Sequence, residues 1–257
     1  MYETTINKYE TGKKMYLTGN SIEFISKELN ISSSRFSLWL KTEGVDVNMC
    51  PQKKRINNNI FQTIDTEEKA YWLGFLYADG YIGLTDNRIE LTLQLADICH
   101  IEKFKEFLQS ECKVSSNSYR SRLSVKNKKI KNDLIKLGCV PQKSLILTYP
   151  TYNQVPQPLM KHFIRGYFDG DGCLCVTDKT KCIDILGTYD FLYQLCIESN
   201  LDTSKIYVSK SKSNKVYRIV LGSKLDLYTF SNYVYEGANI YLDRKYDKYK
   251  KLMKCYV

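Results

Sequence analysis

Histidine is almost absent from this chain, with 2 in 257 residues. There are 9 cysteines, but no two are spaced Cys-x-x-Cys. Without paired thiols or histidines, zinc chemistry has no ligand set to draw on. An odd number of scattered cysteines also fits reduced thiols better than a disulfide framework. No apolar run approaches the ~18 residues that a membrane-spanning helix needs. The N-terminus has neither a secretory apolar segment nor an Arg-rich, acid-poor transit pattern. The composition therefore describes a soluble intracellular protein. If the source is bacterial or phage, its place is the cytoplasm, associated with the nucleoid.

Charge is plentiful but uneven. The net charge of +10 does not come from residues 1–50, which carry six basic and six acidic side chains. Residues 71–257 carry 28 basic and 19 acidic side chains, net +9. An excess of this size suits a polyanionic partner.

One short pattern occurs twice. Trp72-Leu-Gly-Phe-Leu-Tyr-Ala-Asp79-Gly80 aligns without a gap on Ile164-Arg-Gly-Tyr-Phe-Asp-Gly-Asp171-Gly172, offset by 92 residues. Each copy has a small residue (Gly74, Gly166), a second four positions on (Ala78, Gly170), and an Asp-Gly end. Small residues at i and i+4 lie on one helix face, so two such helices can pack with backbones unusually close. Gly80 and Gly172 are expected to stop the helices, which leaves Asp79 and Asp171 at adjacent ends. Two carboxylates held together repel each other and call for a divalent cation. A calcium loop of the EF-hand kind is excluded, because Cys173 stands where that loop needs a ligand.

Around this pair the chain divides into expected segments. Residues 1–50 form a small all-α domain, 51–68 a linker, 69–150 a first repeat and 151–257 a second. In the first segment the spacing predicts helices over Thr5–Leu17, from Ser21, and over Ser33–Thr42, with Phe36, Trp39 and Leu40 inward and Gly44 ending the third. This resembles a helix-turn-helix, with Arg35, Ser37 and Lys41 on the groove-facing side; a plain three-helix bundle for protein contact is the alternative. The linker contains Pro51 and the basic run Lys53-Lys54-Arg55.

Both repeats read as α-β-β-α-β-β-α. The first has strands over 88–95 and 119–126, with Ile89, Leu91, Leu93 and Leu95 inward. Alternation leaves Arg88, Glu90, Thr92 and Gln94 outward on one strand, and Arg120, Arg122, Ser124 and Lys126 outward on the other. Such side chains read base edges and phosphates, although a half-solvated sheet looks the same from sequence. The second repeat is less clean, since Cys182, Asp184 and Leu186 would point outward, with Arg218 on a neighbouring strand. Lys210 and Lys212 sit in a turn suited to phosphate contact.

With the doubled motif and the repeat on the page, residues 60–257 resemble the LAGLIDADG homing endonucleases in their single-chain, two-motif form. The resemblance implies an α+β fold: two pseudo-symmetric αββαββα repeats carrying a saddle-shaped antiparallel sheet, here joined to the small all-α domain. It implies a monomer that cuts double-stranded DNA with magnesium (or manganese), leaving 3′ overhangs. The family's metal-binding acids fall on Asp79 and Asp171. Its accessory lysine falls on Lys143, in Gly138-Cys-Val-Pro-Gln-Lys143-Ser, and on Lys245, in Tyr241-Leu-Asp-Arg-Lys245-Tyr. A polar residue that orients water and metal falls on Asp97, opposite Gly187 in the second copy. Tyr77 departs from the acid common at its position, whereas Asp169 keeps it. Two other readings share the fold, a non-cleaving transcriptional regulator and an RNA-splicing maturase.

Overall fold

The computed structural model describes residues 2–18, 20–45, 47, 56–209 and 216–256. They form two compact units, residues 1–56 and 57–257. Lys53, Lys54, Arg55, Lys210 and Lys212 lie outside the described residues.

Among the described residues the first unit has three helices, α1 (Tyr2–Leu17), α2 (Ile22–Glu28) and α3 (Ser33–Thr42). Ser21 Oγ accepts from Phe24 N at 3.1 Å and Ser32 Oγ from Arg35 N at 3.4 Å, each satisfying an orphan donor at a helix start. Asn30 (φ 51°) makes the turn between α2 and α3, and Gly44 (φ 71°) ends α3 in the left-handed region. Tyr16, Ile25, Phe36 and Leu40 are buried together, with Trp39 packed partly against them. Arg35, Leu38 and Lys41 are exposed and Ser37 is half-buried.

The second unit holds both repeats. The first runs α4 (Glu67–Asp79), β1 (Gly80–Ile82), β2 (Arg88–Gln94), α5 (Ile98–Phe107), β3 (Ser115–Ser116), β4 (Arg120–Lys126) and α6 (Lys128–Lys136). The second runs α7 (Met160–Asp171), β5 (Gly172–Val176), β6 (Lys181–Gly187), α8 (Tyr189–Glu198), β7 (Ile206–Val208), β8 (Tyr217–Leu221) and α9 (Lys224–Tyr235). A last helix, α10 (Asp243–Lys254), follows only in the second half. The fold is α+β: the strands form two antiparallel four-stranded sheets with equivalent orders, β1-β2-β4-β3 and β5-β6-β8-β7.

Helix α4 is buried from Ala70 to Tyr77 and α7 from Met160 to Asp169 apart from Lys161. Helices buried on every side over two turns belong at the centre of a core, and these two pack on each other there. A Cβ on Gly74 would stand 2.0 Å from Phe163 O, and one on Gly166 1.9 Å from Tyr71 O. Phe163 is the 92-residue equivalent of Tyr71, so each glycine lies on the other helix's corresponding carbonyl. That reciprocity is the pseudo-two-fold axis.

Several details differ from the sequence reading. Gly80 (φ −71°) and Gly172 (φ −81°) end their helices in extended backbone and pass straight into strands. Glycine is needed there for space: a Cβ would meet Leu76 O at 2.5 Å or the Phe168 ring at 2.1 Å. Leu95 lies in a 3-10 turn after β2 and is 36% exposed, because the strand stops at Gln94. Residues 57–66 of the expected linker belong to the second unit, where Ile60, Phe61 and Ile64 are buried and Phe61 meets Phe107 edge-on at 5.5 Å.

Candidate active site

Asp79 and Asp171 are the last residues of α4 and α7, so the glycine contact that joins the helices also brings the two acids together. A Cβ on Gly170 would lie 2.3 Å from Ala78 Cβ and 3.4 Å from Asp79 Oδ2. Both aspartates are solvent-accessible, yet protein crowds around them. That crowding is the main force raising the Asp79 carboxyl above its ordinary range; Lys245, Lys143 and Arg244 oppose it. Asp171 is pushed up to about 6, by burial first and then by the charge of Asp79. Lys143, Lys245 and the Tyr167 hydroxyl pull it back only in part. The two acids thus repel each other, as the sequence reading required.

Both sequence-predicted lysines arrive at this point. Lys143 and Lys245 are buried, 8% and 2% exposed. Lys143 Nζ donates to Gly80 O. Lys245 Nζ donates to Gly172 O, to Phe168 O at 2.6 Å and to Asp169 O at 2.7 Å. Each ammonium therefore caps the carbonyl one residue beyond its aspartate, and the pair obeys the pseudo-two-fold axis. Burial lowers Lys245 to about 8 against the raising effect of Asp169.

Two different devices aim these lysines. In the first half Tyr77 Oη donates to Leu137 O at 2.5 Å. Gly138 (φ 94°) lies against that hydroxyl, where a Cβ would stand 2.0 Å from the oxygen. Gln142, also left-handed at φ 55°, then delivers Lys143. In the second half the equivalent position is Asp169, 1% exposed. Its carboxylate accepts from Tyr71 Oη at 2.8 Å, Tyr235 Oη at 2.6 Å and Leu242 N at 2.7 Å, pinning the segment that carries Lys245. His100 Nε2 lies 2.9 Å from Tyr71 Oη. Since that hydroxyl already donates to Asp169, the ring nitrogen supplies the hydrogen. Burial lowers His100 to about 3, so it is neutral.

The same segment is held from a second side. Arg165, 0% exposed, donates to Ile240 O at 2.8 Å, Val234 O at 3.0 Å and Glu67 Oε1 at 2.6 Å. Glu67 also accepts from Asn239 N at 2.9 Å and Asn239 Nδ2 at 2.8 Å. Sequence reasoning missed this network, although an arginine in the middle of the motif helix, between Ile164 and Gly166, was a visible signal, since unpaired buried charge is not tolerated.

Asp97 is buried and its carboxylate has other partners: Gln94 Nε2 at 2.9 Å and Arg244 Nε at 2.9 and 3.2 Å. Arg244 precedes Lys245 on α10, so this ion pair ties the second half's lysine helix to the first half. Helix starts correspond at Asp97 and Thr188, both N-caps, so the Gly187 pairing shifts by one residue. Thr188 Oγ1 donates to Leu147 O at 2.6 Å, and the halves remain unequal at this position.

The outer face of the first sheet matches the alternation. Arg88 stands opposite Lys126, Glu90 opposite Ser124, Thr92 opposite Arg122 and Gln94 opposite Arg120, while Ile89, Leu91, Leu93, Leu123 and Val125 are buried beneath. Arg120, Arg122, Lys126 and Gln94 are exposed. Arg88 is partly engaged by Tyr81 Oη at 3.3 Å and Asp86 at 3.4 Å. In the second sheet Arg218 is bound through Nε to Asp184 at 3.2 Å.

The chemistry of the acid pair suits a hard cation. Among the described residues no group of three or more His, Cys, Asp or Glu could hold a metal ion. Magnesium commonly takes only one or two protein carboxylates and completes its shell with phosphate oxygens and water, so two exposed carboxylates fit it.

No family model matches the chain, and no curated protein does. Solved structures do. The LAGLIDADG homing endonuclease I-GzeII, in complex with its DNA target, is 14% identical with a TM-score of 0.51, over 75% of this chain and 89% of that one. I-SmaMI, bound to uncleavable DNA, is 12% identical with a TM-score of 0.49, over 72% and 88% of the two chains. I-LtrWI, bound to target DNA, is 14% identical with a TM-score of 0.48, over 77% and 92%.

Proposed function

We propose that this chain, which has the LAGLIDADG homing endonuclease fold, is a metal-dependent, site-specific endonuclease of double-stranded DNA acting as a monomer. The observation that carries the reading is the acid pair. Two exposed aspartates are locked at adjoining helix ends, each backed by a buried lysine on the following glycine's carbonyl. A pure DNA binder gains nothing from clustered carboxylates beside phosphates, which cost affinity through repulsion.

Asp79 and Asp171 would hold magnesium or manganese, with phosphate oxygens and water completing its shell. Bound there, the ion would supply Lewis-acid polarisation of a phosphoryl oxygen, a more acidic attacking water and charge neutralisation of the leaving 3′ oxygen. The chain's own groups do the rest. Lys143 and Lys245 place positive charge beside the reacting phosphates, where charge develops. Tyr77, Asp169 and the Arg165–Glu67 pair keep those lysines aimed. Asp97 acts through Arg244, holding the second half's lysine helix against the first half, and is a positioning residue on this reading. One centre cuts each strand, giving 3′ overhangs.

The basic outer face of the first sheet, with Arg88, Gln94, Arg120, Arg122 and Lys126, lies along the duplex; Arg218, Lys210 and Lys212 are the second half's candidate DNA contacts. The N-terminal unit serves as a helix-turn-helix, presenting Arg35, Ser37 and Lys41. It adds a tethered contact that raises apparent affinity.

The test is selection of a cleaved duplex from a random library in magnesium, followed by mapping of the cut. Staggered double-strand breaks that vanish with EDTA are expected. Tight, specific binding without cutting would replace this reading by that of a DNA-binding regulator.

A further inference from the structure

We infer that the two sheets read chemically different half-sites: the β5–β8 sheet is built for thymine methyl groups, and the β1–β4 sheet for guanine. This rests on the proposal that the chain binds duplex DNA across its sheets. The two sheets have the same strand order, and the first strand of each starts at the glycine directly after its aspartate, so a duplex that crosses one would cross the other.

Their outer faces differ in kind. On the first, Arg88, Arg120, Arg122 and Lys126 project with Gln94 and Thr92, and the only acid among those strands is Glu90. On the second, the outward positions are Cys173 and Cys175 on β5, Cys182 and Leu186 on β6, Tyr207 on β7 and Val220 on β8. Their inward neighbours Leu174, Ile183, Ile185, Ile219 and Leu221 are all buried, which fixes the alternation. Leu186, Tyr207 and Val220 are 42%, 53% and 37% exposed. Cys175 faces Cys182 directly across the sheet. Among the described residues of these strands, the one outward cation, Arg218, is held by the one outward acid, Asp184.

The chemistry follows from what each face can recognise. Arginine pairs bidentately with guanine O6 and N7, and glutamine with adenine. A neutral, apolar, thiol-bearing face offers almost no such bonds. What it does complement in the major groove is the thymine 5-methyl group. Exposed apolar residues clustered on one face also mark a contact surface.

The experiment uses the full chain, with calcium as the only divalent ion, and duplex selection from a random library. Arg122→Ala, a surface change, identifies the half under the first sheet as the half whose base preference it alters. Thymine is then replaced by deoxyuridine, which lacks only the methyl, one half-site at a time. We expect the other half to be thymine-rich and to lose binding by about 3- to 4-fold per contacted methyl, with little change from uracil in the Arg122 half. Equal sensitivity of both halves, or guanine enrichment in the half that Arg122→Ala leaves unaltered, would overturn the assignment. Failure to bind any duplex would overturn the endonuclease reading along with it.

Discussion

Asp171 is where residue chemistry can be tested without knowing the DNA target. Its carboxyl is raised from an ordinary 3.8 to about 6 in the folded chain. The folded state therefore holds a proton that the unfolded chain has released. The resulting stabilisation is fully present below pH about 4 and is lost as pH rises through about 6. Above that, the metal-free protein carries two ionised acids side by side, and a divalent cation offsets the repulsion. Magnesium should raise the melting temperature at pH 8 and have little effect at pH 5. Asp171→Asn should abolish the magnesium response and raise the metal-free melting temperature at pH 8. An equal magnesium effect at both pH values would place the cation elsewhere. For catalysis, Lys245→Met should lower the cleavage rate by roughly 10²–10³-fold, the scale for one preorganised charge at a reacting centre. It should leave duplex affinity within a few-fold. If binding fell as steeply as cutting, Lys245 would be a plain phosphate contact.

At the scale of elements, the glycine stripe is the strictest demand in the molecule. Gly74→Ala or Gly166→Ala would drive a methyl to within about 2 Å of a carbonyl oxygen on the opposite helix, which neither backbone can vacate. Overpacking of this kind costs ~1–3 kcal/mol, occasionally more. Each variant should melt several degrees lower in circular dichroism, whereas Gly44→Ala in the other unit acts only through local backbone strain. A pair of variants that melt like the wild type would deny the close helix contact. This contact was legible in the sequence because small residues at i and i+4 are a local signal, and so was the alternation of β2 and β4. Helix α10 was not. Its sequence Asp-Arg-Lys-Tyr-Asp-Lys-Tyr-Lys-Lys-Leu-Met-Lys buries only Lys245 and Leu252, too little apolar surface for a periodic stripe. The role of Asp169 was hidden for a related reason. It sits in the motif like a ligand, but its three partners come from residues 71, 235 and 242, distant in sequence. Only the fold brings them to one carboxylate.

At the scale of the molecule, 1–56 and 57–257 are separate units with their own cores. Residues 1–50 carry balanced charge, and most of the basic excess lies in residues 57–257. On the proposed division of labour, a chain lacking residues 1–56 keeps the cleavage position and loses affinity. Mapping the cut with and without that unit checks this, and a shifted cut would assign the unit to the choice of scissile bond.

The central claim is that Asp79 and Asp171 together form the metal-dependent cutting centre. It is tested most directly by wild type, Asp79→Asn and Asp171→Asn on one selected duplex in magnesium, with binding and strand scission measured on the same samples. The account predicts that all three bind within about 3-fold of one another (~0.6 kcal/mol), while only the wild type breaks both strands. Double-strand cleavage at the wild-type rate by either variant would contradict it.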